Sequence, residues 1–100
     1  MTSKHYEMDR ERREAVIREI GLGTVVKTVT VDRGHRNGPE DHEIRSTGII
    51  VIYNHRTRKM VTKLIARPAQ IRRYYREDEI VPENLLAIAR EHARKNLYNM

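Results

Sequence analysis

Hydrophobic and polar positions change period along the chain, and each change marks an element. Over residues 3–20, Ala15, Val16, Ile17 and Ile20 make a short apolar stripe behind a charged first half. This predicts a helix with Ser3 as N-cap and with Gly21 and Gly23 as its stop. Residues 24–32 are rich in Val and Thr and predict a first strand. Gly34 to Glu40, with two glycines and a proline, reads as a loop. Residues 43–53 then predict one second strand. Its Ile49-Ile50-Val51-Ile52 run has no polar alternation, so both faces of that strand are expected to be covered.

Asn54 suits the first position of a hairpin turn over residues 54–59. Residues 60–67 are the third strand. A four-residue loop would pair Tyr53 with Met60 and Ile49 with Leu64. Period two then puts Leu64 and Ala66 on the face of Ile49 and Val51, and Lys63, Ile65 and Arg67 on the face of Ile50 and Ile52. Pro68 opens a short helix, 68–75, which Glu77-Asp78-Glu79 ends. Pro82 opens a last helix, roughly 82–97, with Leu85, Leu86, Ala89, Ala93 and Leu97 at helical spacing and a half-buried His92 beside them. The expected fold class is α+β: an N-terminal helix, a three-stranded antiparallel sheet and two C-terminal helices, in the order α-β-β-β-α-α.

Composition narrows the class. The 100 residues fit one domain, 1–100, with a thin aliphatic core; there is no Cys, Trp or Phe, and the five Tyr are the only aromatics. The lack of cysteine excludes disulfide scaffolds, thiolate metal sites and cysteine nucleophiles. No His-Glu-x-x-His spacing occurs, and no metal or cofactor is expected. Gly21-Leu22-Gly23 precedes a strand rather than a helix, so it reads as a helix stop and not as a phosphate loop. No apolar run reaches membrane-spanning length and no signal-peptide core opens the chain, so the expectation is a cytoplasmic protein with no membrane partner.

Charge changes the picture most. The net charge is +6, but it is not evenly spread. Residues 44–76 hold Arg45, Arg56, Arg58, Lys59, Lys63, Arg67, Arg72, Arg73 and Arg76, nine cations with no acid among them. The rest of the chain is acidic overall, and in the first helix Glu7, Asp9, Glu11, Glu14 and Glu19 balance five cations as a solvated face would. Seven of the nine window cations are Arg, which pairs phosphate bidentately, and His55, Gln70, Tyr74 and Tyr75 lie between them. The window therefore reads as a nucleic-acid-binding surface, RNA more than DNA.

The segment Leu64-Ile65-Ala66-Arg67-Pro68-Ala69, followed by Arg72-Arg73-Tyr74-Tyr75, resembles the strand-to-helix segment of BrnT-type toxins. These belong to the RelE-like or barnase–colicin group of small ribonuclease folds. His42 to Arg67 also resembles small phage and mobile-element proteins of this layout. The resemblance covers about twelve positions closely. The chain departs from the pattern in its proline after Arg67, in a missing acidic residue shortly after, and in its added C-terminal helix. The resemblance implies an RNA-cleaving or formerly RNA-cleaving scaffold, and it carries over Arg67 and one of Tyr74 or Tyr75.

Metal-independent RNA cleavage needs a base, an acid and cations at the phosphate. The candidates are His42, Lys63, Arg67 and Tyr74, with Arg45 as a further cation and Glu43 as a further acid or base. Each also has a plainer reading: Lys63 and Arg67 can edge the sheet, and His42 can sit exposed at the start of its strand. Two other classes stay open. One is a non-catalytic regulator or inhibitor that uses the same arginines on nucleic acid or nucleoprotein. The other is a homo-oligomeric structural protein. A homodimer or an antitoxin-like protein would then be the partner.

Overall fold

A computed structural model describes residues 3–32, 34, 38–95 and 97, with side chains from residue 10 onward. The Ser3 cap and residues His5, His35 and Tyr98 fall outside that description, apart from the helical backbone of 3–9. The elements are α1 (Ser3–Ile20), β1 (Val25–Val31), β2 (Glu40–Arg45), β3 (Ile49–Asn54), β4 (Met60–Ile65), α2 (Pro68–Arg72) and α3 (Glu83–Arg94). The strands form one antiparallel meander in the order β1-β2-β3-β4.

The sheet has four strands, not three. The expected strand 43–53 is two strands, broken at Ser46-Thr47-Gly48. Gly48 adopts φ +81°, its N–H donates to the Arg45 carbonyl at 3.0 Å, and the chain reverses there. A Cβ at Gly48 would stand 3.2–3.3 Å from the His92 ring and Ile88, so another residue here would press on both as well as strain the positive φ. The polar run Glu40-Asp41-His42-Glu43 has little strand propensity, yet it forms an inner strand paired on both sides.

A bulge corrects the expected β3–β4 register. Tyr53 pairs with Met60 as expected, but a register shift follows, and Ile49 pairs with Ile65 rather than Leu64. One extra residue in β4 reverses the faces of everything beyond it. Leu64 therefore joins Ile50 and Ile52, while Lys63 and Ile65 join Ile49 and Val51.

The apolar run of β3 feeds two cores. Ile50 and Ile52 pack with Ile44, Ala66, Ile71, Leu85, Leu86 and Ala89, under α2 and α3. Ile49, Val51 and Ile65 pack with Ile17 of α1. Each buried Ile, Leu or Val among them contributes about 1.5–3 kcal/mol. The sheet is thus held between α1 on one face and α2 with α3 on the other. His92 is fully buried rather than half-buried, and its Nε2 donates to the Thr47 carbonyl at 2.8 Å. β1 and β4 are the edges, and they expose Val25, Val26, Met60 and Val61. No helix among the described residues is long and apolar enough to cross a membrane.

Candidate nucleic-acid interface

β2 is where the chemistry-bearing side chains enter the fold. Its alternation sends His42 to the α2 face, beside Val29 and Ile52, and Asp41 and Glu43 to the α1 face. His42 is only 1% exposed, so it is not the solvent-facing residue that its position suggests. Its Nδ1 lies 2.6 Å from the Tyr74 hydroxyl and its Nε2 3.3 Å from Glu40 Oε1, with the two rings tilted at 47°. A carboxylate only accepts, so the Glu40 contact places a proton on Nε2. In the neutral imidazole, Nδ1 then accepts from Tyr74.

Tyr74 reaches His42 because α2 begins in a fixed place. Pro68 takes the first helical position, and Gln70 Oε1 accepts the Arg67 N–H at 2.8 Å. The helix is short; its last turn leads directly to Tyr74 and Tyr75, which point different ways. Tyr74 walls a cleft of about 420 Å³ with His42, Gln70 and Arg73 over a floor of Val29, Ile50, Ile52 and Leu64. Tyr75 carries Lys27 over its ring at 4.8 Å, and its hydroxyl pKa is raised by burial. Of the two tyrosines, Tyr74 is the one at the cleft.

A second cavity, of about 400 Å³, is lined by Arg13, Ile65, Arg67 and Ala69 and shares Leu64, Gln70 and Arg73 with the first. A third, of about 350 Å³, lies along the β4 edge and holds Arg10, Arg13, Glu14 and Lys63. The second cavity adjoins the first at Leu64, Gln70 and Arg73 and the third at Arg13, so the three follow one another around β4, here called the β4 trough. Its cations are Arg10, Arg13, Lys63, Arg67 and Arg73, and Glu14 is its one acid among the described lining residues. Arg73 and Lys63 make no ion pair among the described residues. Unopposed cations on a low-dielectric wall create a field that draws a polyanion.

The nine window cations do not share one side. β4 is six residues long, and at 3.3 Å per residue its ends stand about 16 Å apart. Arg56, Arg58 and Lys59 sit in the hairpin at one end, while Arg67, Arg72, Arg73 and Arg76 sit at the other. Arg58 is bound to Asp41 and lies over Tyr53, at 5.5 Å from its ring. Arg45 is on the α1 face, where its guanidinium binds Glu43 at 2.6 Å and the Gly23 carbonyl at 3.0 Å. Arg76 is exposed and pairs with Asp78 at 3.6 Å. Lys63 faces α1 because of the bulge, so it lies across the sheet from His42 and Tyr74. Arg67 lines the cavity next to theirs.

Arg10 and Arg13 are lining residues that the charge window leaves out. A signal for both is present in the sequence. Arg10, Arg13 and Ile17 stand at i, i+3 and i+7, so the buried face of α1 carries both arginines towards the sheet.

Asp41 anchors the hairpin to the sheet. Its carboxylate accepts from His55 Nδ1 and Thr30 Oγ1, both at 2.8 Å, and from Arg58. The His55 hydrogen bond, then the Thr30 bond, holds its pKa below the ordinary 3.8. Among the described residues no group of three or more His, Asp or Glu side chains is placed to hold a metal ion.

Fold and site together define an α+β protein with a cation-lined trough beside a buried histidine paired with a half-buried tyrosine. No family model, curated protein or solved structure matches the chain.

Proposed function

We propose that this protein binds RNA along the β4 trough and cleaves it without a metal at the Tyr74–His42–Glu40 line. The observation that carries the reading is the shared wall. Arg73 and Gln70 line both the arginine cavity and the His42–Tyr74 cleft, so a phosphate held by Arg67 and Arg73 would lie beside Tyr74. The resemblance to RelE- and BrnT-type toxins points to the same reaction.

His42 is too buried to touch a substrate, so Tyr74 is the catalytic residue and His42 positions and relays. The 2′-hydroxyl gives its proton to the Tyr74 oxygen as Tyr74 passes its own to His42 Nδ1, and Glu40 stabilises the imidazolium. The 2′-oxygen bonds to phosphorus and the bond to the 5′-oxygen breaks. The 5′-oxygen takes a proton from water, which leaves a cyclic phosphate and a 5′-hydroxyl. Arg67 and Arg73 carry the charge that builds on the phosphoryl oxygens.

A second reading, a non-catalytic RNA-binding regulator, is favoured by the burial of His42 and by the engagement of both its ring nitrogens. One experiment separates the two. Pure protein is mixed with labelled single-stranded RNA and the matching DNA, with a chelator present, across a salt series. Binding that weakens steeply with salt, together with RNA shortening, supports the nuclease. Binding without shortening supports the regulator, and no salt-dependent binding ends both readings.

A further inference from the structure

We infer that the His42–Tyr74 cleft is a subsite for one unpaired nucleobase, and that it selects uracil or guanine, which carry a carbonyl at the pyrimidine 4- or purine 6-position, over cytosine or adenine, which carry an amino group there. The inference rests on the proposed binding of RNA in the trough.

The floor of the cleft is four aliphatic side chains, Val29, Ile50, Ile52 and Leu64, and its volume of about 420 Å³ accommodates a single base with its sugar. A flat, largely apolar ring fits such a slot, and a duplex does not, because a paired base cannot enter it without leaving the stack. The chemistry of the rim sets the preference. Gln70 Oε1 is committed to the Arg67 backbone N–H at 2.8 Å, and an N–H can bond only to the amide oxygen. That contact fixes which end of the amide is which. The Gln70 amide nitrogen keeps both protons, and among the described residues it has no acceptor.

Arg73, the other polar residue between the two cavities, is donor-only as well. Two donors at one rim complement a carbonyl oxygen. Turned the same way, cytosine and adenine bring an amino group to the rim and leave the donor that faces it without an acceptor. The Glu40 carboxylate is turned to His42.

The test is fluorescence anisotropy with short single-stranded oligonucleotides of U, C, A or inosine, the last standing in for guanine. The 2′-positions are methylated so that cleavage cannot intervene. The expected result is about tenfold tighter binding of U and inosine than of C and A. Gln70→Glu is nearly isosteric and keeps the oxygen that caps Arg67, but it exchanges the donor for an acceptor. In this variant the U-to-C affinity ratio falls to one or below, while total affinity drops for all four. Equal binding of all four oligonucleotides by the natural chain overturns the base subsite and leaves RNA binding intact. An unchanged ratio in Gln70→Glu overturns the assignment to Gln70. If none of the four binds, the RNA reading itself fails. Should Gln70→Glu not fold, the four-way comparison with the natural chain still decides.

Discussion

The Tyr74 hydroxyl sits 2.6 Å from Nδ1 of His42, a residue 32 positions away in the chain. This contact joins a buried histidine of the inner strand β2 that faces α2 to the segment just after that helix. It gives the cleft a proton path that ends at Glu40. Tyr74→Phe removes the hydroxyl and leaves a buried ring nitrogen unpaired, which costs about 1–2 kcal/mol of stability. RNA retention is expected to persist within about twofold while cleavage is lost. Urea denaturation and a gel of labelled RNA read the two effects separately, and cleavage at the natural rate in this variant excludes Tyr74 from the reaction.

The trough and the hairpin make opposite forecasts for alanine substitutions. Arg73→Ala, Arg67→Ala and Arg13→Ala each reduce the slope of log affinity against log salt by about one, as the loss of one phosphate contact should. Arg56→Ala and Lys59→Ala, at the far end of β4, leave the slope unchanged. Titrations at four or five salt concentrations are enough. A larger effect from the hairpin than from the trough would move the binding surface to the other end of the sheet.

Acid should loosen the hairpin anchor. The Asp41 carboxyl is held below its ordinary 3.8 in the folded chain by His55 and Thr30. A depressed folded pKa means that the ionised form favours folding. That contribution is whole above the unfolded value and shrinks as pH falls through the lower folded one. Glu79 and Glu91 are shifted the same way, by Lys27 and Arg94 respectively, so the natural chain's acid profile contains all three. Asp41→Asn isolates one of them. The variant should be less stable at pH 7, and the gap should narrow below about pH 4. Parallel curves of stability against pH for the two proteins would contradict this.

Gly48→Ala should be one of the more damaging small changes available. The position needs a positive φ, and the added methyl would meet His92 and Ile88 at 3.2–3.3 Å. A loss of about 2–3 kcal/mol in chemical denaturation is expected. Gly34→Ala has the same backbone handicap, with nothing within 4 Å of the new methyl, and should cost less. Equal losses would mean that contact with α3 adds nothing at Gly48.

The sequence carries the parts of this fold that depend on short-range pattern. α1, the hairpin at Asn54, the proline that starts α2 and the double burial of Ile49 to Ile52 follow from period, propensity and turn chemistry. The Asn54 side chain accepts from the Arg56 and Thr57 N–H groups, as its position in the turn implies. What pattern does not carry is β2. Glu40 to Glu43 reads as surface because its acids and histidine are polar. The fold buries Asp41, His42 and Glu43 because Thr30, His55, Arg58 and Tyr74 arrive from other segments, and Arg45 from two residues along the strand, to satisfy them. The bulge at Val61 is equally silent in the sequence, and it moves Lys63 away from the cleft. For the same reason the charge window names Arg67 and Arg73 but divides at β4. Arg13 belongs with them only once α1 is laid beside that strand.

The bond from His92 to the Thr47 carbonyl spans 45 residues and ties the last helix to the bend at the middle of the sheet. On the ribosome, the strands emerge well before residues 83–94 do. Until that stretch arrives, Ile44, Ile50 and Ile52 have no cover from Leu85, Leu86 and Ala89, and a nascent chain halted at the sheet would present a sticky aliphatic surface to its neighbours. Maturation of this molecule is therefore a closing step made from the C-terminal side, and premature termination there should yield an aggregate and not a smaller working protein.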